Sequence, residues 1–94
     1  MINEEIYRFL KALASEKRQE IIFLFLNRNE VTVNQVSELV GIGQSTASEQ
    51  LAILKKAGLL SSRKEGKEVF YSTDRNKIME LLQSLNQILT DCCK

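Results

Sequence analysis

The chain has 94 residues and contains no histidine, no tryptophan and no proline. Without histidine it lacks the commonest general base and the commonest transition-metal ligand. A serine or cysteine hydrolase built on a histidine partner is therefore excluded. There is no glycine-rich phosphate loop and no acidic cluster, so nothing nominates a nucleophile with its base, and the chain reads as a non-enzyme. The longest apolar run, Ile21 to Leu26, is far too short to span a membrane, and no signal peptide is expected before it. The expected location is the cytoplasm, with no membrane partner. Only two cysteines occur, the adjacent Cys92 and Cys93. In a reducing cytosol they are poor candidates for a structural disulfide. Neither sign of charge dominates, with 13 Lys and Arg against 12 Asp and Glu. A nucleic-acid partner would have to be met by basic charge arranged locally.

What is present fits a single folded domain over residues 1–94: 44% of residues are hydrophobic and 27% charged. A domain this small leaves much of its surface exposed, so self-association would add useful burial. Ile2, Ile6, Phe9, Leu10 and Leu13 mark one face of a first helix. Ser15 is placed to cap a second helix through Ile21–Leu26, whose broad apolar surface suggests the central helix of the core. Thr32 and Gln35 form a capping-box pattern for a third helix that ends at Gly41. A fourth helix begins after the short "GIG" turn, carries Ala47, Leu51 and Leu54 on one face and stops at Gly58. Two short helices across a tight glycine-bearing turn make a helix-turn-helix candidate. The period then changes to two on either side of Gly66, which predicts a β-hairpin with the charged tip "RKEGKE". Asp74 is placed to cap a long last helix, with Ile78, Leu81, Leu82, Leu85, Ile88, Leu89 and Cys92 close to a heptad stripe. The predicted class is α+β, mainly helical, a winged helix-turn-helix of about five helices and a two-stranded hairpin wing.

The outer face of the fourth helix would present Gln44, Ser45, Thr46, Ser48, Glu49, Gln50, Lys55 and Lys56. Hydroxyls and amides at a helix N-terminus can donate to phosphates beside free backbone N–H groups. Glutamine can also pair with adenine in the major groove. Arg63, Lys64 and Lys67 at the hairpin tip are spaced to lie along a flanking phosphate strand. The bland alternative is a solvated helix face and a solvated turn.

The stretches "LASEKRQEIIFLFL" and "TVNQVSELVGIGQSTASEQLAILKKAGLLSSRKEGKEVFY", with the long last helix, resemble the ArsR/SmtB family of winged-helix repressors over nearly the whole chain. "QSTxSxxLxxLxxAGL" followed by "R-x-G-x-x-x-x-Y" is the specific part of that likeness. The resemblance implies a homodimer joined through its first and last helices, with Ile2, Ile6, Phe9, Leu82, Leu85 and Leu89 in the interface. It also implies a sequence-specific repressor on a pseudo-palindromic double-stranded DNA operator, with half-sites about 34 Å apart. Two departures stand out. Glu49-Gln50 replaces the arginine or histidine often found there, and Glu49 could accept from a cytosine amino group or face inward to a lysine. The wing sets Arg63, Lys64 and Lys67 against Glu65 and Glu68, so fewer phosphate contacts than in a strongly basic repressor, and a correspondingly shallow salt dependence, are expected. The same two features support a rival function, a winged-helix module for protein interaction.

Three cysteine or histidine sensor sites known in the family have no counterpart here. What remains resembles arsenic-responsive members with adjacent cysteines at the end of the last helix, although those often add a third. By that likeness Cys92 and Cys93 would bind arsenite or antimonite, which releases the operator; zinc or cadmium is the second choice. No cofactor is expected to be needed for folding. Thiolates are soft ligands suited to all four. Adjacent residues on a helix point about 100° apart, so both thiols grip one ion only if the helix end unwinds. Alternatively, both subunits supply thiols to a four-thiolate site. The rival readings are Cys92 as a small residue of the dimer seam, a redox switch, and a regulator with no ligand.

Overall fold

The computed structural model of the chain describes residues 3–91; Ile2, Cys92 and Cys93 lie outside the described residues. Helix α1 spans Glu4–Leu13 and is capped by Asn3, whose Oδ1 accepts the Ile6 N–H at 2.8 Å. Glu4 and Glu5 in its first turn and Lys11 in its last suit the helix dipole. Ile6, Phe9 and Ala12 form the buried face.

Ser15 caps helix α2, Glu16–Phe23, as its spacing predicts, by accepting the Arg18 N–H at 3.3 Å. The helix does not run through the whole apolar stretch. It tightens into a 3₁₀ turn over Leu24–Leu26, and only Ile21 of the run is fully buried. Phe23 and Leu26 are 63% and 76% exposed, so the expected central helix of the core is corrected to a short element with one buried edge. Six consecutive apolar residues go round a helix, and a one-sided core can bury only part of them.

The helix-turn-helix forms as expected. Both arms of the capping box on helix α3, Val33–Val40, are present: Thr32 Oγ1 accepts the Gln35 N–H at 3.2 Å and Gln35 Oε1 accepts the Thr32 N–H at 2.9 Å. Gly41, at φ 75°, turns the chain out of α3. Helix α4 spans Gln44–Lys56 and buries Ala47, Leu51 and Leu54. It closes with a Schellman motif, in which Leu59 N–H reaches the Leu54 carbonyl at 3.0 Å and Gly58 N–H the Lys55 carbonyl at 3.1 Å.

The predicted hairpin is strands β2, Leu60–Glu65, and β3, Glu68–Thr73, in register from Leu60↔Thr73 to Glu65↔Glu68. Gly66 has φ 61° while Lys67 does not enter the positive region, the pattern of a type II′ turn. The sheet is larger than expected. Strand β1, numbered after its place in the chain at Val31–Thr32, pairs antiparallel with β3, giving the order β1-β3-β2. Two residues carry no readable alternation, which is why the pattern of the sequence misses this strand.

Helix α5, Arg75–Asp91, starts where Asp74 Oδ1 accepts the Lys77 N–H at 3.2 Å. Leu81 enters the core, and Ile78, Leu85 and Ile88 pack on it half-buried. Leu82 and Leu89 stay 46% and 55% exposed. Ile6 and Phe9, expected at a dimer interface, are 0% and 1% exposed within the single chain. They belong to its own core, because the α1 stripe turns inward on α4 and α5. The outer face of α1 instead offers Tyr7 and Leu10.

Candidate nucleic-acid interface

The start of α4 is open. Gly43 occupies its N-cap and supplies no side-chain hydrogen bond. The first-turn N–H groups are therefore uncapped by any side chain, where a helix N-terminus has unpaired donors and partial positive charge. Around them Gln44, Ser45, Thr46, Ser48 and Glu49 are all exposed, opposite the buried Ala47, Leu51 and Leu54. Gln44 Nε2 donates to Asn34 Oδ1 on α3. A groove lined by Thr32, Val33, Asn34, Gln44, Lys67, Glu68 and Val69 then joins this helix end to the wing. Lys67 and Gln44, expected to act together, thus share one surface. Asn34 was missed; its place in the capped first turn of α3 was the available signal.

Gln50 is less open than expected, while Lys55 is exposed on α4 as its spacing predicts. Gln50 is half-buried, and its Oε1 accepts from Arg18 Nη1 at 2.9 Å. The same guanidinium donates to the carbonyls of Ala12 and Lys11 at 2.8 and 3.3 Å. Gln50 therefore ties the reading helix to α1 and α2 rather than presenting its amide outward. Lys55 Nζ donates to Ser62 Oγ at 2.7 Å and so lies at the root of the wing.

In the wing, Lys64 and Lys67 are exposed. Arg63 is committed: its Nε and Nη2 donate to the two carboxylate oxygens of Glu30 at 2.7 and 2.9 Å, and its Nη1 donates to Glu65. The hydrogen bonds that Arg63 donates to Glu30 and then to Glu65 hold its pKa above its usual value. The reciprocal bond holds the Glu30 carboxyl below the usual carboxylate range. The guanidinium carbon also stands 4.5 Å from the centroid of the Phe70 ring. Glu30 was not foreseen as part of the wing, because it lies 33 residues away in sequence, before a strand too short to read. Among the described residues, no group of three or more His, Cys, Asp or Glu side chains could hold a metal ion, and no helix is long and apolar enough to cross a membrane.

Comparison with known proteins gives this geometry a family. The chain is 34% identical over 79 residues to the transcriptional activator HlyU of Vibrio cholerae, covering 84% of this chain and 72% of that protein. It is 32% identical over 79 residues to a cadmium resistance transcriptional regulatory protein CadC homolog of Staphylococcus aureus, covering 84% of this chain and 65% of the relative. Among solved structures, it is similar to the homodimeric winged helix-turn-helix DNA-binding domain of a possible ArsR-family transcriptional regulator from Mycobacterium bovis. That likeness has a TM-score of 0.73 and 29% identity, over 94% of this chain and 80% of that one. Residues 15–62, half of the chain, match the family described as bacterial regulatory protein, arsR family. With these elements in this order, the chain is a winged helix-turn-helix member of the arsR family of bacterial regulatory proteins.

Proposed function

We propose that the chain works as a homodimer that binds a double-stranded DNA operator and represses transcription from it. The observation that carries this reading is the uncapped, hydroxyl-lined start of α4, sharing one groove with Lys67 of the wing. A backbone phosphate seated against the first-turn N–H groups would orient α4. Ser45, Ser48 and Glu49 would then meet base edges, with Gln44 reading from beside the groove. Self-association would use the outward residues of α1 and α5, Tyr7, Leu10, Met79, Leu82 and Leu89, which are 36–60% exposed in the single chain. Leu85, half-buried, would flank them.

A gel shift on the DNA upstream of the chain's own gene, across a salt series, tests this. Binding should be lost on replacing Gln44 and Ser48 together by alanine. Unchanged affinity in that double variant sinks the reading. The exposed Glu49 and the neutralised Arg63 favour a second reading, a protein-interaction module, and absence of any shift by the wild-type chain would support it.

The signal we propose is thiol-binding, arsenite or antimonite first, then zinc or cadmium. It rests on the two adjacent thiols that follow α5, Cys92 and Cys93. A shift of that helix in the dimer, worth only about 1–3 kcal/mol of coupling, changes operator affinity roughly 5- to 150-fold. Release by arsenite that survives both Cys92→Ser and Cys93→Ser would overturn the proposal.

A further inference from the structure

A row of side chains crosses the sheet on its outer face. Arg63 on β2 is the register partner of Phe70 on β3, and Phe70 is the partner of Thr32 on β1. Cross-strand partners share a face of the pleat, and Glu65 joins Arg63 two residues along the same strand. The Arg63 guanidinium passes over the Phe70 ring and lands on Glu30, just before β1. Glu65 takes the remaining nitrogen. Both edges of the fork that would grip a phosphate are thus already on carboxylates.

Building on the DNA-binding reading above, we propose that Arg63 is a positioning residue of the wing and not a phosphate contact. Glu30 and Glu65 occupy its guanidinium and, across Phe70, latch the hairpin to the strand that leads into α3. The wing then meets the DNA backbone through Lys64 and Lys67. The latch ties in the otherwise minimal β1, whose Thr32 is also the N-cap of α3. One arginine therefore sets the wing against the helix-turn-helix. This also gives part of the wing's mixed charge a purpose, since Glu65 serves the latch.

The first test needs no DNA. In ¹⁵N-edited spectra at neutral pH, the Arg63 Nε–H should give a signal protected from exchange, unlike that of the exposed Arg28, and Glu30→Gln should abolish the protection. Exchange of Arg63 as fast as Arg28 in the wild type overturns the latch. The second test is the salt dependence of binding to a generic 30-base-pair duplex, since phosphate contacts are independent of sequence. Each phosphate contact adds about 0.9 to the slope of log affinity against log salt. Lys67→Gln should make the slope shallower by about 0.9. Arg63→Gln should leave the slope at the wild-type value while affinity falls several-fold at every salt concentration. Glu30→Gln should steepen the slope by about 0.9, because a freed guanidinium gains a phosphate. A slope that falls in Arg63→Gln as it does in Lys67→Gln, or stays fixed in Glu30→Gln, overturns the proposal. A wild-type chain that binds no duplex at any salt overturns the DNA reading instead, and the exchange measurement still decides the latch.

Discussion

Gly58 shows how much one residue can settle. It has φ +89°, and a Cβ added there would lie 3.0 Å from both Leu81 Cδ1 and Lys77 Cγ of α5. The left-handed backbone alone costs a residue with a Cβ about 1–2 kcal/mol. Gly58→Ala should therefore lower stability by at least about 1 kcal/mol, read as a lower urea midpoint at unchanged slope. The position was legible in sequence, because a glycine after an apolar helical face marks a C-terminus by local rules. The roles of Arg18, Glu30 and Gln50 were not. The side-chain partners that join them lie 32 or 33 residues away, and no local pattern encodes a meeting at that range. The Glu30–Arg63 contact also fixes a pH behaviour. A carboxyl held below its usual range contributes fully above the unfolded value, about 4.3 for glutamate, and loses that contribution only as pH falls through the lowered folded value. Raising the arginine's pKa leaves the contact intact up to strongly alkaline pH. Protection of the Arg63 Nε–H signal, corrected for intrinsic exchange, should thus stay constant between about pH 6 and pH 8. Loss of protection within that window would contradict the assignment of Glu30 as the partner.

At the scale of elements, the strongest signals were those with a chemical stop and start. The capping box at Thr32 and Gln35, the caps at Ser15 and Asp74, the glycines after α3 and α4 and the hairpin around Gly66 all stand where local spacing puts them. The failures came where pattern is degenerate. Ile21–Leu26 is apolar at every position, so periodicity says nothing about where the helix tightens or which side faces out. Strand β1 is too short to have a period at all. Thr32 joins these two cases, since it pairs with Phe70 in the sheet and caps α3 at once. Thr32→Ala should cost about 1 kcal/mol through the lost cap, measured by chemical denaturation. A loss of a few tenths would show that the main-chain pairing of β1 suffices without the hydroxyl.

For the whole molecule, the single chain leaves a face unfinished. Its extents are 50 × 24 × 23 Å, and Tyr7, Met79, Leu82 and Leu89 keep about half or more of their surface open. Exposed large apolar side chains on adjoining helices are the usual sign of a subunit contact. Leu82→Glu should shift the protein to monomer in sedimentation velocity while preserving its far-ultraviolet circular dichroism. A dimer that survives that charge would place the interface elsewhere. The sequence showed the apolar stripes but not their depth. Spacing alone could not tell that Ile6 and Phe9 are spent inside while Tyr7 and Leu10 remain outside.

Among the described residues, the strand order β1-β3-β2 leaves two borders of the sheet without a neighbour. One is two residues long, too little to template another strand. The other runs into Arg63, Lys64 and Glu65, a charged sequence that a strange backbone would have to desolvate in order to pair. Copies of this chain that meet in a crowded cell are thereby steered away from fibre-like, edge-to-edge growth.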